Sequence, residues 1–163
     1  FLIKLRLSEW ANIAEIFASI VIVASLAYIG IELNQNTQAL QQDSYQATVG
    51  TLVELDIAEA TNADLSRIML EGNSSPRELA PEEWARFVRI AYSRIGLWEY
   101  VYLSSREKAI SDTQLIALEP YFIQLVCSNG LKKFWAENRV GFSPEFAAYY
   151  ELEARSACGE IYD

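Results

Sequence analysis

The chain has 163 residues, 52% of them hydrophobic, and a formal net charge of −9. That length suits one modest domain plus an apolar segment, and so acidic a surface repels phosphate backbones and anionic headgroups, which argues against nucleic acid as a partner. Histidine is absent throughout, which removes Ser-His-Asp and Cys-His catalysis, His-ligated zinc, the Glu-x-x-His di-iron pattern and the usual haem ligand.

The first element in chain order is Ala11–Ile31, ANIAEIFASIVIVASLAYIGI. Ile16–Ile31 carries no charge, and extension back to Ala11 adds only Asn12 and Glu15 as strongly polar residues. At about 1.5 Å per residue the run reaches roughly 32 Å, enough for a hydrocarbon core of about 30 Å. It predicts one membrane-spanning helix, with the lipid bilayer as its surroundings. A buried core helix rarely needs so long an apolar run on every face. A secretory signal is the other alternative, with Lys4 and Arg6 as its basic region and Ser25-Leu26-Ala27 as a weak cleavage site. The chain opens on Phe1 rather than Met, which points to a start upstream.

Within this run Ala11, Ala14, Ala18 and Ser25 follow spacings of three, four and seven, so they share one stripe. Small residues let another helix approach closely in lipid, where packing drives association. Glu15 sits at the edge of the stripe. One turn inside the boundary, it either reaches the interface or hydrogen-bonds a neighbouring transmembrane helix. The stripe predicts other integral membrane proteins, or a second copy of the chain, as partners. Lys4 and Arg6 precede the run and no basic residue follows before Arg67. Positive-inside reasoning therefore puts the N-terminus in the cytoplasm and the rest beyond an inner membrane, with the cytoplasmic side as the alternative.

Residues 1–33 thus form an N-terminal segment with the span, and residues 34–163 an all-helical extramembrane domain. The stretch from Asn34 to Gln46 is polar on most sides and reads as a stalk. Tyr45, Val49, Leu52, Val53 and Ile57 then restore an apolar face at helical spacing. Asn62 or Asp64 is placed to cap a short helix, DLSRIMLE, which Gly72 and the loop NSSP stop. Pro81 opens a longer helix with Glu82 and Glu83 at its positive end, and Trp84, Phe87, Val88, Ala91, Ile95, Trp98 and Tyr102 trace its buried stripe.

Ser111 and Gln114 form a capping box for the next helix, which Pro120 kinks or divides. Asn129-Gly130 marks a turn before LKKFWAEN, and Ser143-Pro144 begins the last helix. The fold class is all-α: one N-terminal transmembrane helix continuing into a bundle of four or five helices packed back on the membrane-proximal helix. Trp84, Trp98, Tyr121, Phe122, Phe134 and Trp135 are read as its core rather than a cofactor box.

Neither a Gly-rich phosphate loop nor a Cys-x-x-Cys pair is present. Glu151 and Glu153 stand two apart, do not share a helix face, and read as solvated. No cofactor is expected, and nothing in the residues positively supports an enzyme. Cys127 and Cys158, the two thiols, form a disulfide across about 30 residues in an oxidising compartment and remain free in the cytosol.

Two stretches carry a resemblance. IELNQNTQALQQDSYQ after the apolar run, and FWAENRVGFSPEF near the end, are similar to the membrane-exit segment and C-terminal signature of an uncharacterised bacterial family of small single-pass membrane proteins. The resemblance implies an inner-membrane protein and brings no assigned activity. Members often carry arginine around the Gln-Asn-Thr element, which would keep the domain cytoplasmic; this chain has Glu32, Asn34 and Gln38 there.

Read physically, the C-terminal motif is architectural. Trp135 and Phe146 anchor two short helices, Ser143 and Glu145 with the proline between them fix the turn, and Asn138 and Arg139 tie the connecting loop. The functional alternative is a ligand site built from Asn138, Arg139 and Glu145. The chain is expected to be a non-catalytic accessory or scaffolding subunit of a larger membrane complex, an energy-converting one being one such setting. The runner-up is a self-associating, membrane-anchored sensor or ligand-binding module.

Overall fold

The computed structural model describes residues 7–159, so Lys4 and Arg6, on which the topology expectation rests, lie outside the described residues. Among the described residues the fold is all-α: α1 (Leu7–Thr61), α2 (Ala63–Ser74), α3 (Pro81–Arg106), α4 (Asp112–Val126), α5 (Asn129–Asn138) and α6 (Pro144–Cys158), with a single 3-10 turn at Arg139–Gly141. The chain divides into two compact units, residues 1–40 and residues 41–163.

In the first unit α1 is long and apolar enough to cross a membrane, and none of its most apolar window is buried within the protein. Ile16, Phe17, Ile22 and Leu26 point to different sides of the helix, and each is at least 60% exposed. Ser19 and Ser25 donate their hydroxyls to the carbonyls of Glu15 and Val21, at 2.9 and 2.8 Å, so neither hydroxyl needs water.

In the second unit α3 is central and touches α2, α4, α5 and α6. Trp98 at its middle is fully buried, stacked on Phe122 at 5.4 Å and met edge-on by Phe146 and Tyr149, each at 5.8 Å. Such pairs add about 0.5–1.5 kcal/mol each beyond the burial of their area. Phe122, Phe134 and Trp135 are buried as expected, while Trp84 and Tyr121 lie half-buried at the edge. Residues 41–61 of α1 join the core through Leu52 and Thr48, with Tyr45 and Val49 beside them.

The helix starts follow the capping signals. Asn62, Ser111, Ser128 and Ser143 each accept a backbone N–H of the first turn through the side chain. Ser111 N–H in turn donates to Gln114 at 2.9 Å, which closes the capping box. Ahead of Pro81, Ala80 N–H donates to Glu83 at 3.0 Å.

Four local expectations are corrected. Gly72 does not stop α2, which runs on to Ser74. A Cβ on Gly72 would come within 2.4 Å of the Phe87 ring, and one on Gly130 within 2.4 Å of the Gly72 carbonyl oxygen. Both glycines therefore serve close packing of α2, α3 and α5, and Asn129-Gly130 lies inside the first turn of α5 rather than in a turn before it. Pro120 does not divide α4, which continues to Val126; its ring sits on the exposed side, clear of the core. Finally, Val53 and Ile57 are not part of the buried face: they are 49% and 55% exposed, because the bundle covers the side of α1 that carries Thr48 and Leu52.

Candidate functional site

The residues singled out from sequence fall into two groups. Ala11, Ala14, Glu15, Ala18 and Ser25 all lie on α1 in the first unit and are all exposed. Their spacing on a continuous helix leaves a shallow stripe of small side chains among large apolar ones, a surface suited to close approach by another helix.

The second group, the C-terminal motif, is built into the bundle. Phe146 is fully buried, and Trp135 stacks on Tyr150 with ring centroids 3.9 Å apart. The Trp135 indole N–H donates to Glu151 at 3.3 Å, and Arg139 pairs with the same carboxylate oxygen at 3.2 Å. Glu151 is therefore a partner within the fold and not a solvated group. Asn138 donates to the Phe134 carbonyl at 2.8 Å and accepts from the Tyr92 hydroxyl at 3.1 Å. Ser143 caps α6 and donates its backbone N–H to Glu99 at 2.7 Å.

Glu145 turns elsewhere. It accepts from the Tyr102 hydroxyl at 3.3 Å and pairs with Arg106 at 3.3 Å, at the far end of α3. Asn138, Arg139 and Glu145 thus engage three different sets of partners and do not converge on a common ligand. Glu99, Tyr92 and Arg106, which hold the motif in place, were not identified from sequence; each is distant along the chain and carries no local signal.

Two polar clusters in the bundle also escaped the sequence reading. Arg94, 8% exposed, reaches Asp56 at 3.1 Å and Glu59 at 2.7 Å on α1, and the Tyr121 hydroxyl donates to Asp56 at 2.8 Å. Burial, and then the hydrogen bond to Asp56, push the Tyr121 phenol up to about 12. A guanidinium as buried as that of Arg94 needs such company to offset its desolvation. On the other side of the bundle Tyr149 donates to Glu119, and burial followed by that bond pushes its phenol far above the ordinary tyrosine value. Burial and then the Glu119 charge raise Glu153 in the same area.

Cys127, the C-cap of α4, is joined to Cys158 at the end of α6, with Cα atoms 5.5 Å apart and a sequence separation of 31. Closing a loop of that length contributes roughly 3–4 kcal/mol on the chain-entropy model. Among the described residues no three His, Cys, Asp or Glu side chains cluster as a metal site requires. A surface groove between the α2–α3 loop and the start of α5 mixes Arg77, Lys132 and Lys133 with Glu78 and Glu137 and is open to solvent.

Gly50, like Gly30 and Gly96, differs from the packed Gly72 and Gly130 in having open space around it. It lies inside α1, exposed, with nothing within 4 Å of where a Cβ would sit. Glycine there costs about 1 kcal/mol relative to alanine, with no packing gain inside the chain. In comparisons with protein families, curated proteins and solved structures, nothing matches this chain.

Proposed function

We propose that this chain is a non-catalytic accessory or scaffolding subunit of a larger membrane complex, held there by a single membrane-spanning helix and by its helical domain. An energy-converting assembly is one setting of this kind. The observation that carries the reading is the apolar run of α1, uncovered on every side and marked by the stripe from Ala11 to Ser25. Apolar surface of that extent calls for lipid around it, and the small residues for a neighbouring helix.

The resemblance to the bacterial single-pass family supports a place in the bacterial inner membrane. The Cys127–Cys158 bond supports a domain on the oxidising, periplasmic side, since such bonds are rare in the cytosol. The internally paired C-terminal motif supports a scaffolding rather than a ligand-binding role.

Gentle detergent extraction from the native membrane, followed by native mass spectrometry, tests the reading. The expected result is a stoichiometric assembly with other integral membrane proteins, lost when Ala18 is replaced by isoleucine. Recovery of the chain only as a monomer or homo-oligomer would overturn it in favour of the self-associating sensor. Protease accessibility in spheroplasts, compared with inverted vesicles, tests the periplasmic placement.

A further inference from the structure

In the second unit, three features of α1 coincide on one face. Gly50 is exposed with open space around it, and no contact within the chain calls for a glycine in mid-helix. Val53 and Ile57 share its face and are 49% and 55% exposed, opposite the side that Thr48 and Leu52 bury. At the corner into α2, Ala60 and Ala63 line a shallow groove with Leu70, itself 69% exposed. The edge of this strip is acidic: Asp43 and Glu54 lie along it, and no Lys or Arg occurs from Asn34 to Ser66. Arg67, which also lines the groove, is already held by Asp64, Glu71 and Glu83.

We infer that this face docks an amphipathic helix that carries Lys or Arg beside its apolar stripe, with its backbone crossing α1 at Gly50. The glycine admits close helix approach, as small residues do wherever helices cross tightly. Val53, Ile57 and Leu70 receive the apolar side chains, while Asp43 and Glu54 meet the cations and set the choice of partner. A second copy of this chain anchored in the same orientation is the wrong occupant, because the two α1 helices would run parallel and bring Asp43 and Glu54 against their own equivalents. The inference rests on the subunit reading, in that the docked helix belongs to another member of the assembly.

The test uses the full chain in phosphatidylcholine nanodiscs and an 18-residue probe helix with leucines at i, i+3, i+4 and i+7 flanked by lysines. A second probe carries glutamate in place of lysine, and empty nanodiscs give the lipid background. Fluorescence anisotropy is expected to give micromolar binding of the lysine probe, weakened at least tenfold by Gly50→Leu and by Ile57→Asp. Asp43→Lys combined with Glu54→Lys is expected to transfer the preference to the glutamate probe. Both positions are exposed, and far-UV circular dichroism with a thiol count verifies that each variant is folded. Equal affinity of wild type and Gly50→Leu, or no change of preference on charge reversal, overturns the inference. Native mass spectrometry separates the two readings. A native assembly that retains the Ile57→Asp chain undiminished sinks this surface and leaves the subunit standing. The absence of any assembly sinks the subunit reading, while the titration still decides the surface.

Discussion

Along the apolar run of α1, Ile16, Phe17, Ile22 and Leu26 leave more than half of their surface uncovered, whereas in the bundle Phe87, Trp98, Phe134 and Phe146 leave none. The two regions use similar side chains under opposite conditions. The bundle supplies its own cover, so each aromatic contributes to the stability of the domain. The α1 run presents its side chains to its surroundings, so they are expected to contribute nothing to the folding of the domain. Truncation of one large side chain in each region breaks or sharpens that contrast. Trp98→Ala is expected to cost about 3–5 kcal/mol, read as a lower denaturant midpoint by tryptophan-independent circular dichroism of the full chain in detergent. Phe17→Ala is expected to leave that midpoint unchanged. A shift from Phe17→Ala comparable to that from Trp98→Ala would mean that the run is covered within the protein after all.

The disulfide provides the next largest test. Cys127→Ser with Cys158→Ser removes a link between the ends of α4 and α6, and the domain is expected to lose roughly 3–4 kcal/mol. Full-length wild type treated with reductant should fall to the same midpoint. An unchanged midpoint would show that the packing of α4 on α6 holds those ends without the bond.

Where the sequence sufficed and where it failed follows from the range of each signal. Caps are local, so Asn62, Ser111 with Gln114, and Ser143 with Pro144 could be read from a few adjacent residues. The apolar run is likewise a local property of consecutive residues. Gly72 was misread because a stop and a packing glycine look alike until Phe87 and Gly130 are known to lie against it. Val53 and Ile57 were misread because apolar spacing gives a face but not what covers it. In the C-terminal motif the Ser143-Pro144 cap was legible, yet the partners Glu99 and Arg106 come from α3, beyond any local pattern.

The glycines extend the comparison inside the domain. Gly130→Ala places a methyl 2.4 Å from a backbone carbonyl oxygen, which cannot be relieved by a side-chain rotation. It is expected to cost about 1–3 kcal/mol. Gly50→Ala meets open space and is expected to add up to about 1 kcal/mol of stability. Thermal melts of the two variants, run side by side, should move in opposite directions. A loss from Gly50→Ala in the isolated chain would place a neighbour over that face within the protein itself.

The smallest expected effect belongs to Glu153, whose carboxyl is held above its ordinary value of 4.5 by burial and then by Glu119. Because the folded pKa is raised, the contribution of this group is fully present below about 4.5 and is lost as pH rises through the folded pKa. Glu83 behaves in the opposite sense. Arg67, followed by the Ala80 N–H, lowers its pKa, so its contribution is present above 4.5 and is lost as pH falls through the folded value. Ionised Glu153 therefore works against the fold while ionised Glu83 works for it. Glu153→Gln should raise stability at pH 7.5 by less than about 1 kcal/mol, and that gain should shrink at pH 4 as protonation removes the charge that burial and Glu119 disfavour. Denaturant midpoints at the two pH values decide the matter. An equal gain at both would assign the effect of Glu153 to packing against α4 rather than to the Glu119 charge and the desolvation of its own.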